Sequence, residues 1–198
     1  MRRATCVLLV GSVTAACRVA APRGPSPATA SAAYGIVLDS LYVHNDLGFS
    51  PRHAAQIVVG QLAVSTGEPA DYFLCPGAGK CDLPKDLIPA YEQANRVVGP
   101  LVAVPAVGLP LHLMDTVEAH RIFEHDSATN TYERFWAVYP DTPGLALLSH
   151  IGVDATGTWA LLRYDLECGF LCGESWFVVL RRTGGRWRIF RAVKYMVS

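Results

Sequence analysis

The sequence predicts an α+β fold in which a C-terminal antiparallel β-meander is covered by short helices. Three observations carry this expectation. Across residues 159–168, Ala160, Leu162, Tyr164 and Leu166 share one face while Arg163, Asp165 and Glu167 take the other, which is the two-residue period of a strand. Thr183-Gly184-Gly185 lies between two β-prone runs and reads as a hairpin turn. Earlier in the chain the apolar residues recur at helical spacing, as in Leu87, Ile88, Tyr91, Ala94 and Val98.

Residues 1–17 read as an export signal. Met1-Arg2-Arg3 holds the start of the chain on the cytoplasmic side, and residues 6–13 form an apolar run. That run is far shorter than the roughly 20 residues of a membrane span. Its end, Thr14-Ala15-Ala16-Cys17, resembles the bacterial lipobox, in which the cysteine is acylated and becomes the mature amino terminus. An ordinary cleaved signal is the alternative, because Thr14 stands where the lipobox prefers leucine. Residues 18–33 are rich in Ala, Pro and Ser and contain no acidic residue, a composition expected to stay extended as a disordered tether. Residues 34–198 are then a single globular domain, of ordinary length for one core.

Within that domain, Ile36, Val37, Leu41 and Tyr42 predict a helix over residues 34–43, and Ile57, Val58, Val59, Leu62 and Val64 a strand over 55–64. Asp86 is placed to cap a helix running to about residue 97, with Pro89 tolerated in its first turn. Residues 101–105 and 109–114 are strand candidates. Asp115-Thr-Val-Glu118 has the form of a capping box, with Asp115 accepting amide hydrogens and Glu118 reaching back. The helix it starts should end near Phe123. A further helix carries Tyr132, Phe135, Trp136 and Tyr139 before Pro140 stops it. Strands follow over 145–153, 159–168, 176–182 and 186–197. On the last, Trp187, Ile189, Val193, Tyr195 and Val197 are expected on one face. Helices are expected to cover one side of the resulting sheet.

The 17 basic and 17 acidic residues balance, which argues against nucleic acid and against a strongly anionic surface as the main partner, and no charge block stands out. Of six cysteines, Cys75, Cys81, Cys168 and Cys172 fall in the domain. An even number in an exported chain points to disulfides. Of the three possible pairings, Cys75 with Cys81 and Cys168 with Cys172 is favoured, since each pair flanks a short glycine-bearing loop. As a redox couple, Cys168 and Cys172 have one intervening residue too many and lack a helix amino terminus. Zinc is equally poorly served, because the pairs lack knuckle spacing throughout.

The remaining chemistry consists of near misses. His120-Arg-Ile-Phe-Glu124-His125 has one residue too many for an inverted zinc-protease motif. Ser149-His150 lies in a strand-like segment, where neighbouring side chains point apart, and it lacks a nucleophile elbow. No phosphate loop or dinucleotide fingerprint is present, and no cofactor or metal is expected. Trp159, Phe170 and Trp176 lie on or next to the cysteine loop. They are candidates for a binding surface as well as for core packing.

Phe135-Trp136 with Tyr139-Pro140, Leu148-Ser149 with Ile151-Gly152, Cys168-Gly169 with Cys172-Gly173, and Gly185 with Trp187 resemble a family of uncharacterised exported, lipoprotein-like bacterial proteins. The resemblance implies export and a shared fold, and brings no catalytic residues with it. The expectation is an exported periplasmic or cell-surface protein, anchored to a membrane if Cys17 is acylated. Its expected role is non-enzymatic, either binding or structural, with an envelope protein or a glycan as partner. A thiol oxidoreductase or an envelope hydrolase is the alternative.

Overall fold

The computed structural model describes residues 24–44, 54–64, 67, 69–77, 81–123, 131–169 and 171–197. Seven strands form one mixed sheet: β1 (Ile57–Gly60), β2 (Leu111–Met114), β3 (Leu145–Leu148), β4 (Gly152–Val153), β5 (Trp159–Glu167), β6 (Gly173–Thr183) and β7 (Arg186–Val197). Their order is β2-β1-β3-β5-β6-β7, with β4 beside β5. The meander β5-β6-β7 is antiparallel, as the alternation and the hairpin signal require. β1 is parallel to both β2 and β3. These are long-range pairings that no local pattern announces.

Five helices pack on this sheet: α1 (Pro27–Leu38), α2 (Ala70–Leu74), α3 (Leu87–Ala94), α4 (Thr116–Phe123) and α5 (Thr131–Val138). The first begins at Pro27, so residues 27–33 are helix rather than tether. The Ser26 hydroxyl accepts from the Thr29 amide at 3.2 Å, and Pro27 occupies the first helical position, where its missing N–H costs nothing. Ala30 and Ala33 are buried, since small side chains let the helix lie close on the sheet. The helix runs on through a π turn, Asp39–Val43, that turns Leu41 and Tyr42 into the core. There Tyr42 Oη lies 2.8 Å from Tyr164 Oη, while Tyr34 Oη donates to the Ser149 carbonyl at 3.0 Å.

Other elements also depart from expectation. Residues 101–105 form no strand. Pro100 and Pro105 bracket them without amide hydrogens, and Ala103 has φ 58°. Asp86 does not cap α3; its Oδ2 accepts from the Ala155 amide at 2.7 Å and ties that helix start to the β4–β5 turn. The end of α3 is tied as well. Asn95 Nδ2 donates to the Tyr91 and His150 carbonyls, and its Oδ1 accepts from the His150 amide.

Helices cover the sheet on both faces rather than one. On the first face α1 packs over Ile57, Val59, Ala146, Leu148, Ala160, Leu162, Tyr164, Val178 and Leu180. On the second, α4 and α5 pack over Val58, Met114 and Leu145, while α2 and α3 pack over Leu161, Phe177 and Val179. Irregularities at Ser175/Trp176 and Val179/Leu180 shift the β6–β7 register. Val193 and Tyr195 consequently pack on the second face, while Trp187 and Ile189 pack on the first, so the expected single face is split. Among the described residues, no helix is long and apolar enough to cross a membrane.

Candidate functional site

The second face has a gap between its two helical covers, and there a cleft of about 290 Å³ opens over Arg163, Asp165 and Glu167 of β5. The alternation of a central strand points all three side chains the same way. Arg163 Nε donates to Asp165 Oδ1 at 2.8 Å, and the two side chains are only 13% and 8% exposed. The guanidinium also lies 5.5 Å from the Tyr195 ring centroid, above an aromatic cluster with Phe73 and Phe177. Burial works against its charge, but the hydrogen bond and charge of Asp165 outweigh it and raise the Arg163 pKa.

α5 closes one side of the cleft. Its Tyr132 hydroxyl donates to Glu167 Oε2 at 3.2 Å. Burial, with the charge of Asp165, pushes the Glu167 carboxyl above its ordinary range, against the opposing effects of Tyr132 and Arg163. Ser175 stands opposite Asp165 on β6. At the rim, Glu174 pairs with Lys194 at 3.0 Å and accepts from Trp176 Nε1 at 3.2 Å. Gly169, Cys172 and Gly173 complete the wall. The lining thus combines carboxylate acceptors, two hydroxyls and a fixed guanidinium, a set suited to hydrogen-bonding hydroxyl or amine groups.

Both expected cysteine pairs are disulfides. Cys75 and Cys81 are 5.1 Å apart at Cα, and Cys168 and Cys172 are 5.0 Å apart. Two such bonds fit an oxidising compartment outside the cytoplasm. The second bridge closes the loop between β5 and β6, with the Cys168 amide donating to the Cys172 carbonyl at 2.9 Å. It joins strand to strand, without the helix amino terminus that activates a thioredoxin-like thiol.

The aromatic surface expected at this loop is not assembled by Trp159 and Trp176. Trp176 is buried against the first face, beside Tyr164 in register. Trp159 starts β5 at the far end of the strand, on the second face, paired with Arg181. The β5–β6 register pairs Tyr164 with Trp176 and Trp159 with Arg181, so the two tryptophans fall on opposite faces, and the loop joins the other end of β5. Phe170 and Cys17 lie outside the described residues. Among the described residues of the loop, Leu171 is an exposed apolar side chain, 81% accessible.

Among the described residues no histidine lines the cleft. His112 Nε2 lies 2.7 Å from Glu118 Oε2, and the Tyr139 hydroxyl donates to Glu118 Oε1. Asp115 does accept from the Glu118 amide at 2.8 Å, completing half of the capping box. Glu118 spends its own oxygens on His112 and Tyr139 instead of reaching back. Burial raises the Glu118 pKa, but those two hydrogen bonds overcome it and hold the carboxyl below its ordinary range. His120 sits on α4, whereas Glu124 and His125 lie outside the described residues. Ser149 is fully buried; its Oγ accepts from the Arg163 amide at 2.8 Å and donates to the His150 carbonyl, which makes it a strand clip. His150 lines a separate, more apolar pocket of about 240 Å³ with Tyr34, Ala94 and Val102, and burial lowers its pKa. Among the described residues no group of three or more His, Cys, Asp or Glu is placed to hold a metal ion.

The cleft was missed because Arg163, Asp165 and Glu167 read as the wet side of a half-buried strand. Their signal lay in position, since a central strand covered on both faces has no wet side. No protein family matches the chain, and neither a curated protein nor a solved structure matches it significantly.

Proposed function

We propose that this chain is an exported, non-enzymatic binding protein, held at an envelope membrane through Cys17, that takes a hydroxyl- or amine-bearing unit of a glycan in the β5 cleft. The observation that carries the reading is the Arg163, Asp165 and Glu167 row, faced by Tyr132 and Ser175 in an open cleft of about 290 Å³. The signal-like residues 1–17 and the two disulfides support the location. Titration calorimetry with N-acetylglucosamine oligosaccharides tests the ligand class. Glu167→Ala should weaken binding about 10-fold or more, the worth of one hydrogen bond to a charged group. Equal binding by parent and variant would sink the cleft. Intact mass of the membrane-fraction protein tests the anchor: a chain starting at Cys17 with added acyl mass is expected.

One observation favours a second reading. A carboxyl whose pKa burial raises, beside a charge-paired Asp165, has the sense of a general acid set against a carboxylate partner in glycoside hydrolysis. Release of reducing ends from the same oligosaccharides, abolished by Glu167→Gln, would select the hydrolase.

A further inference from the structure

The balanced charge of the whole chain hides a strongly basic end of the sheet. Residues 175–198 contain Arg181, Arg182, Arg186, Arg188, Arg191 and Lys194 and no acidic residue. Two of these cations are neutralised. Arg191 Nη2 meets both Asp82 carboxylate oxygens at 2.7 and 2.8 Å, and Lys194 meets Glu174. Arg181, Arg182, Arg186 and Arg188 are exposed around the Gly184-Gly185 turn, and no ion pair involving them is formed among the described residues. The turn projects past its neighbour, since β5 starts opposite Arg181 and the Arg182 amide bonds only to the Thr158 carbonyl.

Protection of an edge strand explains charges along β7, but not those of Arg181 and Arg182, which lie on the interior strand β6. Beside the arginines, Trp159 and Phe190 pack edge to face at 4.8 Å, and Arg181 lies 5.1 Å from the Trp159 ring centroid. These rings are packed on each other and roofed by a guanidinium, so they offer no open platform for stacking bases. A projecting turn with arginines around it and the indole of Trp159 at its base suits a flat anionic surface.

We propose that the β6–β7 turn docks on the anionic headgroups of a phospholipid membrane. This inference rests on the reading that the protein faces an envelope membrane. Each arginine near such a surface contributes about 1 kcal/mol, or about 5-fold in partitioning.

The test uses the full chain carrying Cys17→Ser, so that no acyl chain contributes, and vesicles of phosphatidylcholine with or without 30% phosphatidylglycerol. Sedimentation should show binding to the anionic vesicles that falls on raising the salt from about 0.1 to 0.5 M. The triple variant Arg181→Gln, Arg186→Gln, Arg188→Gln should lose on the order of 100-fold in that binding. The corresponding Lys triple variant should keep most of it, because headgroup attraction follows charge. Thermal melts of the variants check that they fold. Binding unchanged in the Gln variant, equal binding to both vesicle types, or tighter binding to a DNA duplex than to vesicles would each overturn the proposal. Export is measured separately by the mass of the secreted or membrane-bound chain. Failure of the location and failure of the docking turn are therefore distinguishable.

Discussion

At the scale of single residues, the Arg163–Asp165 pair is the most consequential contact in the cleft. Both side chains are largely buried, so removing one charge strands the other. Arg163→Met should cost about 3 kcal/mol in urea denaturation. Adding Asp165→Asn should recover much of that loss, and a double variant no better than the single would contradict the pairing. Glu167 behaves in the opposite sense. Its folded-state pKa is raised above the unfolded value, so its ionisation weakens the fold as the pH rises from the ordinary carboxylate range through the raised value. Glu167→Gln should therefore melt no lower than the parent at pH 7, and its relative advantage should vanish below about pH 4. The polar side of β5 was legible as an alternation. Its meaning was not, because whether a strand's second face is wet depends on helices that arrive from elsewhere in the chain.

At the scale of elements, the glycine turn and the β5 alternation form as their local signals require, whereas the strand expected over 101–105 and the Asp86 cap do not form. The hairpin is made by Gly184 and Gly185, whose φ of 58° and 78° few other residues adopt, and the start of α4 was visible in Asp115. α1 was hidden in an Ala, Pro and Ser stretch that composition assigns to a tether, although Ser26-Pro27 is itself a helix-start signal. A chain beginning at Tyr34 should melt well below one beginning at Gly24, since it lacks Ala30 and Ala33 from the core; equal melting temperatures would place those residues in the tether after all. α3 is seated on β4 by backbone contact. A Cβ at Gly152 would stand 2.3 Å from the Tyr91 backbone, so Gly152→Ala should cost about 1–3 kcal/mol, measured by urea denaturation. The parallel pairing of β1 with β2 and β3 joins residues 57–60 to segments far along the chain, and no periodicity in either segment names its partner.

At the scale of the molecule, one sheet carries a polar cleft at the loop end of β5 and a basic turn at the other end. Acid should weaken the fold in two steps. Burial holds the folded-state pKa of His150 below its ordinary value near 6.5, so stability is full above that pH and falls beneath it, by at most about 1.4 kcal/mol per pH unit. Glu118, held low by Tyr139 and His112, contributes above its ordinary value near 4.3, and that contribution is lost as the pH falls through and below it. His150→Gln should flatten the first step while leaving the second. Fragment mapping by two-dimensional amide NMR of the parent chain is the sharpest test of the cleft. With a set of small sugars, polyols and amines, shifts should cluster on Tyr132, Arg163 to Glu167 and Gly173 to Ser175, and they should fade in Glu167→Ala. Shifts clustered instead at Tyr34, Ala94 and His150, or unchanged in that variant, would contradict the account.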